Sequence, residues 1–188
     1  MSEARPRLIV GISGASGVIY GIRALERLRT MGVETHLVMS RAAKITLAHE
    51  TNWKVAAVEA LADTVYAPDD IGAAVSSGSF KTMGMLVAPC SIRSLSEIAS
   101  GVTASLLPRA ADVALKERRR VVLLVRESPL HAGHLKSMLA VTEMGAIVAP
   151  PVPGFYVRPD SVDAIVDHTV GRALDLFGFD ADIPRWGG

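Results

Sequence analysis

RLIVGISGASGVIYGIRALE, residues Arg7 to Glu26, decides the reading of this chain. An apolar run leads into a tight turn of glycines and small hydroxyl residues, and an amphipathic segment follows. Strand, small-residue loop and helix in that order make an anion site. Glycine lets the backbone approach an oxyanion closely, and unpaired N–H groups at a helix start carry partial positive charge. The G-x-S-G-A-S-G spelling lacks the Lys-Ser/Thr ending of a nucleoside-triphosphate loop. Serine also stands where the second glycine of a G-x-G-x-x-G dinucleotide fingerprint belongs. The segment announces a phosphorylated ligand without saying which.

The rest of the chain narrows the class. At 188 residues with 49% hydrophobic content, one domain with a full-sized core is expected, spanning 1–188. A net charge of +1 provides no basic field, which disfavours nucleic acid and anionic membrane as partners. The longest apolar runs, such as Val121–Val125, are far too short to span a bilayer. MSEARPR carries no apolar stretch before the first strand, so no secretory signal is read. A lone cysteine, Cys90, cannot form an internal disulfide, and a cytoplasmic location is expected.

Strand-like and helix-like segments alternate. Strands are predicted at Leu8–Ile12, Glu34–Met39, Gly84–Ala88, Val121–Val125 and Ala146–Ala149. Most are continuous apolar runs, the pattern of strands buried on both faces. Helices are predicted at Val18–Thr30, Arg41–Glu50, Ser94–Ser100, Thr103–Arg118, Ala132–Met144 and Ser161–Phe177. The alternation implies an α/β fold of three layers: a Rossmann- or flavodoxin-like parallel sheet with helices on both faces. The least regular stretch is Asp63–Thr82. In such sheets ligands bind beyond the carboxyl ends of the strands. Those ends carry Ser13–Gly17, Ser40–Arg41, Pro89–Ser94, Arg126–Pro129 and Pro150–Tyr156, a rim of small hydroxyls, arginines and one carboxylate. An isolated serine there is ordinarily a helix cap; several strand ends with anion-friendly chemistry point to a phosphate-bearing ligand.

GISGASG, MSRAAKITLAHET, SSGSF, APCSIRSLSEIASG, RAADVALKERR, VRESPLH, PPVPGFYVRP and PRWG follow one another along nearly the whole chain. Together they resemble the flavin prenyltransferases, the UbiX family. The related flavin-dependent cysteine decarboxylases match less well. They depend on an early histidine and a P-x-S-A-N-T segment, where this chain has SSGSF and VAPCSIRS. The resemblance implies a transferase that joins the dimethylallyl group of dimethylallyl phosphate to N5 and C6 of reduced FMN. The product then serves a partner decarboxylase of the UbiD type.

The resemblance also implies site roles. Gly14, Ala15 and Ser16 match the flavin-binding turn, Ser40 a phosphate contact, and Ser91, Ile92, Arg93 and Ser94 the next flavin loop. Glu127 matches an acid/base carboxylate, with Ser16 assisting proton transfer and Glu50 a second carboxylate near the substrate. Arg126, Lys116, Tyr156 and Arg172 match a substrate-phosphate cluster, with Ser77 and Gly78 as loop contacts and Arg109 close by. Guanidinium and ammonium groups suit a departing phosphate through charge-assisted hydrogen bonds. Trp186 matches an aromatic beside the site, reaching it from a neighbouring subunit. Homododecamers built of trimers are implied, with a tail of about residues 178–188 crossing to a neighbour. The two anion sites are expected to converge over one flavin ring.

Competing readings accompany these roles. Each serine is also a candidate cap, Glu127 a surface partner of Arg126, and Glu50 a solvated helix end. Arg118, Arg119 and Arg120 read as a solvated helix end, Cys90 as a packed hydrophobe, and Met138 and Met144 as core. His131 and His134 lack a third ligand at metal spacing, so no metal is expected. The alternatives of another kind are a non-catalytic FMN carrier and a relative of the cysteine decarboxylases.

Overall fold

The computed structural model describes residues 5–187. Six strands form a single sheet: β1 (Arg7–Ile12), β2 (Glu34–Met39), β3 (Thr64–Tyr66), β4 (Gly84–Cys90), β5 (Arg120–Val125) and β6 (Ile147–Val148). Their order is β3-β2-β1-β4-β5-β6 and every neighbouring pair is parallel. The register of β1 on β2 runs from Arg7 opposite Glu34 to Ile12 opposite Met39. The helices are α1 (Val18–Thr30), α2 (Arg41–Glu50), α3 (Val55–Glu59), α4 (Ile92–Ser100), α5 (Leu106–Lys116), α6 (Ala132–Glu143) and α7 (Val162–Asp175).

Alternation along β1 divides the core. Leu8, Val10 and Ile12 face the layer containing α1, α2, α3 and α7, where Ile22, Leu25, Leu47, Val58 and Val170 are buried. Ile9 points to the opposite layer, where Leu95, Leu106, Ala110 and Val141 pack beneath α4, α5 and α6. Each fully buried Leu or Ile contributes about 1.5–3 kcal/mol relative to exposure, which explains why the central strands need no polar face. Gly11 is small because a side chain there would press into Met85 Cε at 2.8 Å and Leu107 at 3.3 Å.

The architecture is the α/β fold expected, with four corrections to its elements. The irregular stretch contains β3, whose Val65 is 40% exposed at the sheet edge, too short and too wet to give an apolar run. Helix α3, of five residues, was likewise not expected. Helix α5 starts at Leu106 rather than at residue 103, and α4 at Ile92 directly after its Ser91 cap.

Much of the tail packs on its own chain. Ala181 and Ile183 are buried, Ile183 seats against Gly171, and Arg27 donates to the Ala181 carbonyl at 2.7 Å. Trp186 is 82% exposed; Gly188 lies outside the described residues. Among the described residues no helix is long and apolar enough to cross a membrane.

Candidate functional site

The strand order reverses direction between β1 and β4, so the loops leaving these strands diverge and open a crevice. A cleft of about 500 Å³ lies there, with Gly14, Ser40, Ser91, Ile92, Arg93, Ser94 and Glu127 among its walls. A larger hollow of about 620 Å³ at the amino-terminal ends of β4, β5 and β6 is bounded by Arg118, Arg119 and Arg120. Arg119 there donates to the carbonyls of Gly78 and Phe80, both at 2.6 Å, and Arg120 donates to the Leu176 carbonyl. Those two arginines hold backbone, which corrects the expectation of a merely solvated helix end.

Two of the cleft's hydroxyls are caps. Ser40 Oγ accepts the Ala43 N–H at 3.1 Å, and Ser91 Oγ accepts the Ser94 N–H at 3.2 Å and donates to Ser94 Oγ. Capping and ligand binding do not compete here, since the caps aim the starts of α2 and α4 at the same cleft. Ser13, which sequence reasoning did not single out, ties the two loops. It is 1% exposed, donates to the Pro89 carbonyl at 2.9 Å and accepts the Ser91 N–H at 2.7 Å. A polar residue continuing the inward-facing strand register was the available signal. Gly14 backs onto α2, where any side chain would overlap Ala42 Cβ at 2.3 Å.

These features fit a flat ligand with an anionic tail such as FMN. The volume lies in the range of small-molecule sites, the helix starts suit phosphate, and Gly14 keeps the wall low. The carboxylates of Asp69 and Glu97 at its margin are neutralised by Arg41 and Arg93. Cys90 lies buried beneath the cleft, and burial pushes its thiol up to about 12, which removes it as a nucleophile.

Glu50 stands outside the cleft walls, and Ser16 lies two residues beyond Gly14 on the turn that borders them. Glu50 Oε2 accepts the N–H groups of Gly17 at 2.8 Å and Val18 at 3.3 Å, so the first turn of α1 is filled from within. This corrects the expectation that this helix start serves a ligand, and it makes Glu50 a cap rather than a solvated end. Ser16 is exposed on the adjoining turn. Glu127 makes no ion pair with Arg126; its Oε1 accepts the Ser128 N–H at 3.1 Å at the cleft mouth. The Arg126 backbone N–H binds the Cys90 carbonyl at 3.0 Å. Burial raises the Tyr20 phenol, and the Arg126 charge opposes it.

The expected phosphate cluster divides within one protomer. Lys116 pairs with Glu117 beside Gly78, and Arg109 pairs with Asp112 at 2.8 Å. Tyr156 and Arg172 line a separate cleft of about 300 Å³ between the Pro150–Tyr156 segment and α7. Trp186 meets Tyr156 edge-on, with ring centroids 5.5 Å apart. Convergence of both anion sites in one cavity is not found within a single chain, because α7 and the tail carry their cleft away from the β1–β4 crevice. His131 caps α6, accepting the Gly133 N–H at 3.0 Å. Among the described residues no group of three or more His, Cys, Asp or Glu could hold a metal.

Residues 1–174 match the Flavoprotein family model. Flavin prenyltransferase UbiX of Neisseria meningitidis serogroup B is 56% identical over 183 residues, covering 97% of each chain. The crystal structure of AnUbiX in complex with FMN and dimethylallyl pyrophosphate superposes with a TM-score of 0.97 at 49% identity, covering 98% of this chain and 99% of that one. A dodecameric FMN-dependent UbiX-like decarboxylase from Escherichia coli O157:H7 gives a TM-score of 0.94 at 49% identity, covering 97% and 100%. With identity of this order over almost the full length, and the β1–β4 cleft in place, the chain belongs to the flavin prenyltransferase (UbiX) family of flavoproteins.

Proposed function

We propose that this protein is a prenyltransferase that joins the dimethylallyl group of dimethylallyl phosphate to N5 and C6 of reduced FMN. The observation that carries this reading is Glu127, unpaired with Arg126, at the mouth of a switch-point cleft walled by two capped helix starts. When bound, reduced FMN supplies the nucleophilic ring positions and a π face. The chain's own residues do the rest. Ser40 and the Ser91–Ser94 turn hold the nucleotide's phosphate tail, and Gly14 and Ala15 admit its flat end. Glu127 exchanges a proton at the cleft mouth with Ser16 assisting, a role suited to a carboxylate in reach of the ring edge. Arg126, Lys116, Arg172 and Tyr156, with Arg109 and the Ser77–Gly78 loop, stabilise phosphate as it departs.

The division of these cations among separate surfaces of one protomer supports a site completed between subunits, in a homododecamer built of trimers. The exposed Trp186 then reaches the pocket of a neighbour, and residues 1–188 act as one domain. The product is handed to a UbiD-type decarboxylase, and the protein works in the cytoplasm.

Anoxic incubation with reduced FMN and dimethylallyl phosphate, followed by mass spectrometry of the released flavin, tests the reading. A prenyl adduct is expected. FMN retention with no adduct would instead make the protein a flavin carrier.

A further inference from the structure

His168 is the imidazole that packs into the Tyr156–Arg172 cleft. It lies on α7, one turn before Arg172, and is 8% exposed, buried between the Tyr156 cleft and a charged hollow lined by Arg27, Arg158, Asp160 and Asp167. Its Nε2 is 3.0 Å from Tyr156 Oη, and the two rings meet edge-on at 5.5 Å and 81°. Gly154 closes over the pair: a side chain there would approach both His168 Cε1 and Tyr156 Cε1 at 3.0 Å. Trp186 covers Tyr156 from another side. Tyr156, 43% exposed, is thus contacted by a histidine, a tryptophan and a backbone segment, and Arg172, whose guanidinium pairs with Asp175 at 2.6 Å, lines the same cleft.

We propose that His168 is a positioning residue which orients the Tyr156 hydroxyl so that its proton points at an oxyanion held with Arg172. The proposal rests on the reading in which this cleft takes the phosphate of the prenyl donor. A phenol has one proton to give and lone pairs to receive with. If His168 Nε2 accepted that proton, Tyr156 would present only lone pairs to the cleft and would repel a phosphate dianion. If His168 Nε2 carries its own hydrogen, it donates to Tyr156 Oη, and the phenol proton is free for the anion. Only the second arrangement suits a ligand that accepts and never donates. His168 therefore sets the polarity of the contact as well as its position, and polarisation along the imidazole–phenol–anion chain strengthens the outer bond.

The test compares His168→Gln, which keeps an N–H donor, with His168→Phe, which keeps a ring without one. Should the Phe variant prove insoluble, His168→Leu carries the same comparison. Calorimetric titration of dimethylallyl phosphate into protein loaded with oxidised FMN reads binding without turnover. Steady-state assays with reduced FMN read KM and kcat. The Phe variant is expected to bind the prenyl phosphate about tenfold to a hundredfold more weakly, the worth of one hydrogen bond to a charged group. Its KM should rise in step, with FMN affinity unmoved, and the Gln variant should recover to within about twofold.

Unchanged prenyl-phosphate binding in the Phe variant, alongside weakened binding in Tyr156→Phe and Arg172→Ala, overturns the role of His168 and leaves the functional reading intact. Equal losses in Gln and Phe variants, with FMN binding impaired as well, make His168 merely structural and overturn the proposal. If neither Tyr156→Phe nor Arg172→Ala weakens binding, the cleft is not the phosphate site and the proposal falls with that assignment.

Discussion

Glu50 and Gly17 are joined by a hydrogen bond of 2.8 Å, in which the last residue of α2 accepts the backbone N–H at the start of α1. Gly17 adopts a positive φ of 94° and has no side chain with which to cap the helix. Glu50 supplies the missing acceptor from across the fold, and its charge suits the positive end of the helix.

Removing that carboxylate should therefore act first on stability. Glu50→Ala is expected to cost about 1 kcal/mol, a fall of about 2–4 °C in Tm for a chain of this size. Glu50→Gln, which retains an oxygen acceptor, should fall less. Thermal unfolding of the two variants checks the difference, and equal losses would show that the acceptor oxygen is not what matters.

Ser13→Ala strands the half-buried Ser91 N–H, because Ser13 Oγ is its acceptor at 2.7 Å. An unsatisfied buried donor costs about 1–3 kcal/mol. The loop it anchors starts α4 at the cleft, so FMN affinity should weaken together with the urea midpoint. Fluorescence titration of FMN checks this.

Gly14→Ala and Gly78→Ala should part company. At Gly14 the new methyl group meets Ala42 Cβ at 2.3 Å and its backbone carbonyl carbon at 3.1 Å. Neither can move without shifting α2, and a loss of about 1–3 kcal/mol is expected. At Gly78 the obstacles are the far ends of Glu117 and Lys116, at 2.3 and 2.9 Å. Those side chains swing away, so Tm should hardly change while KM for the prenyl phosphate rises through the displaced Lys116.

Glu127→Gln keeps the size and a hydrogen-bonding carbonyl but removes proton exchange. Adduct formation should slow by about 10²-fold or more, the usual worth of a positioned general acid or base, with FMN binding retained. Turnover at the original rate would take the acid/base role away from this residue.

Asp175 holds the tail to α7 through Arg185 at 2.8 and 2.9 Å and also pairs with Arg172 at 2.6 Å. The hydrogen bond from Arg185 is the leading cause that keeps its carboxyl below the ordinary aspartate value, with Arg172 adding to it and burial opposing. A carboxyl depressed in the folded state stabilises at neutral pH. That contribution is lost as pH falls from the ordinary value of about 3.9 through the lowered folded one. Wild-type protein should thus lose urea resistance on acidification through that window more steeply than Asp175→Asn, whose curve lacks this component. Parallel curves would show that Asp175 titrates alike in both states.

The strand–helix alternation, the buried character of β1, β2, β4 and β5, and the rim of strand-end loops could all be read from residue order, because burial on both faces leaves continuous apolar runs. The edge strand β3 could not, since three half-wet residues carry no periodic signal and pair only because β2 presents an open edge. That Ser40, Ser91 and Glu127 gather at one cleft was legible for a related reason: each follows a strand within two residues, and parallel strands deliver their successors to one rim.

Contacts between residues far apart in the chain were decided by tertiary structure alone. Glu50 meets Gly17, Ser13 meets Ser91 and Tyr156 meets His168 because the folded chain brings separate loops and helix ends side by side, and hydrogen bonds between separated segments leave no pattern in local composition. Sequence by itself determined the fold class and the chemistry of the rim, both properties of local order. Which carboxylate would cap a helix, and which cations would share a cleft, depended on distances that exist only once the sheet has been covered on both faces.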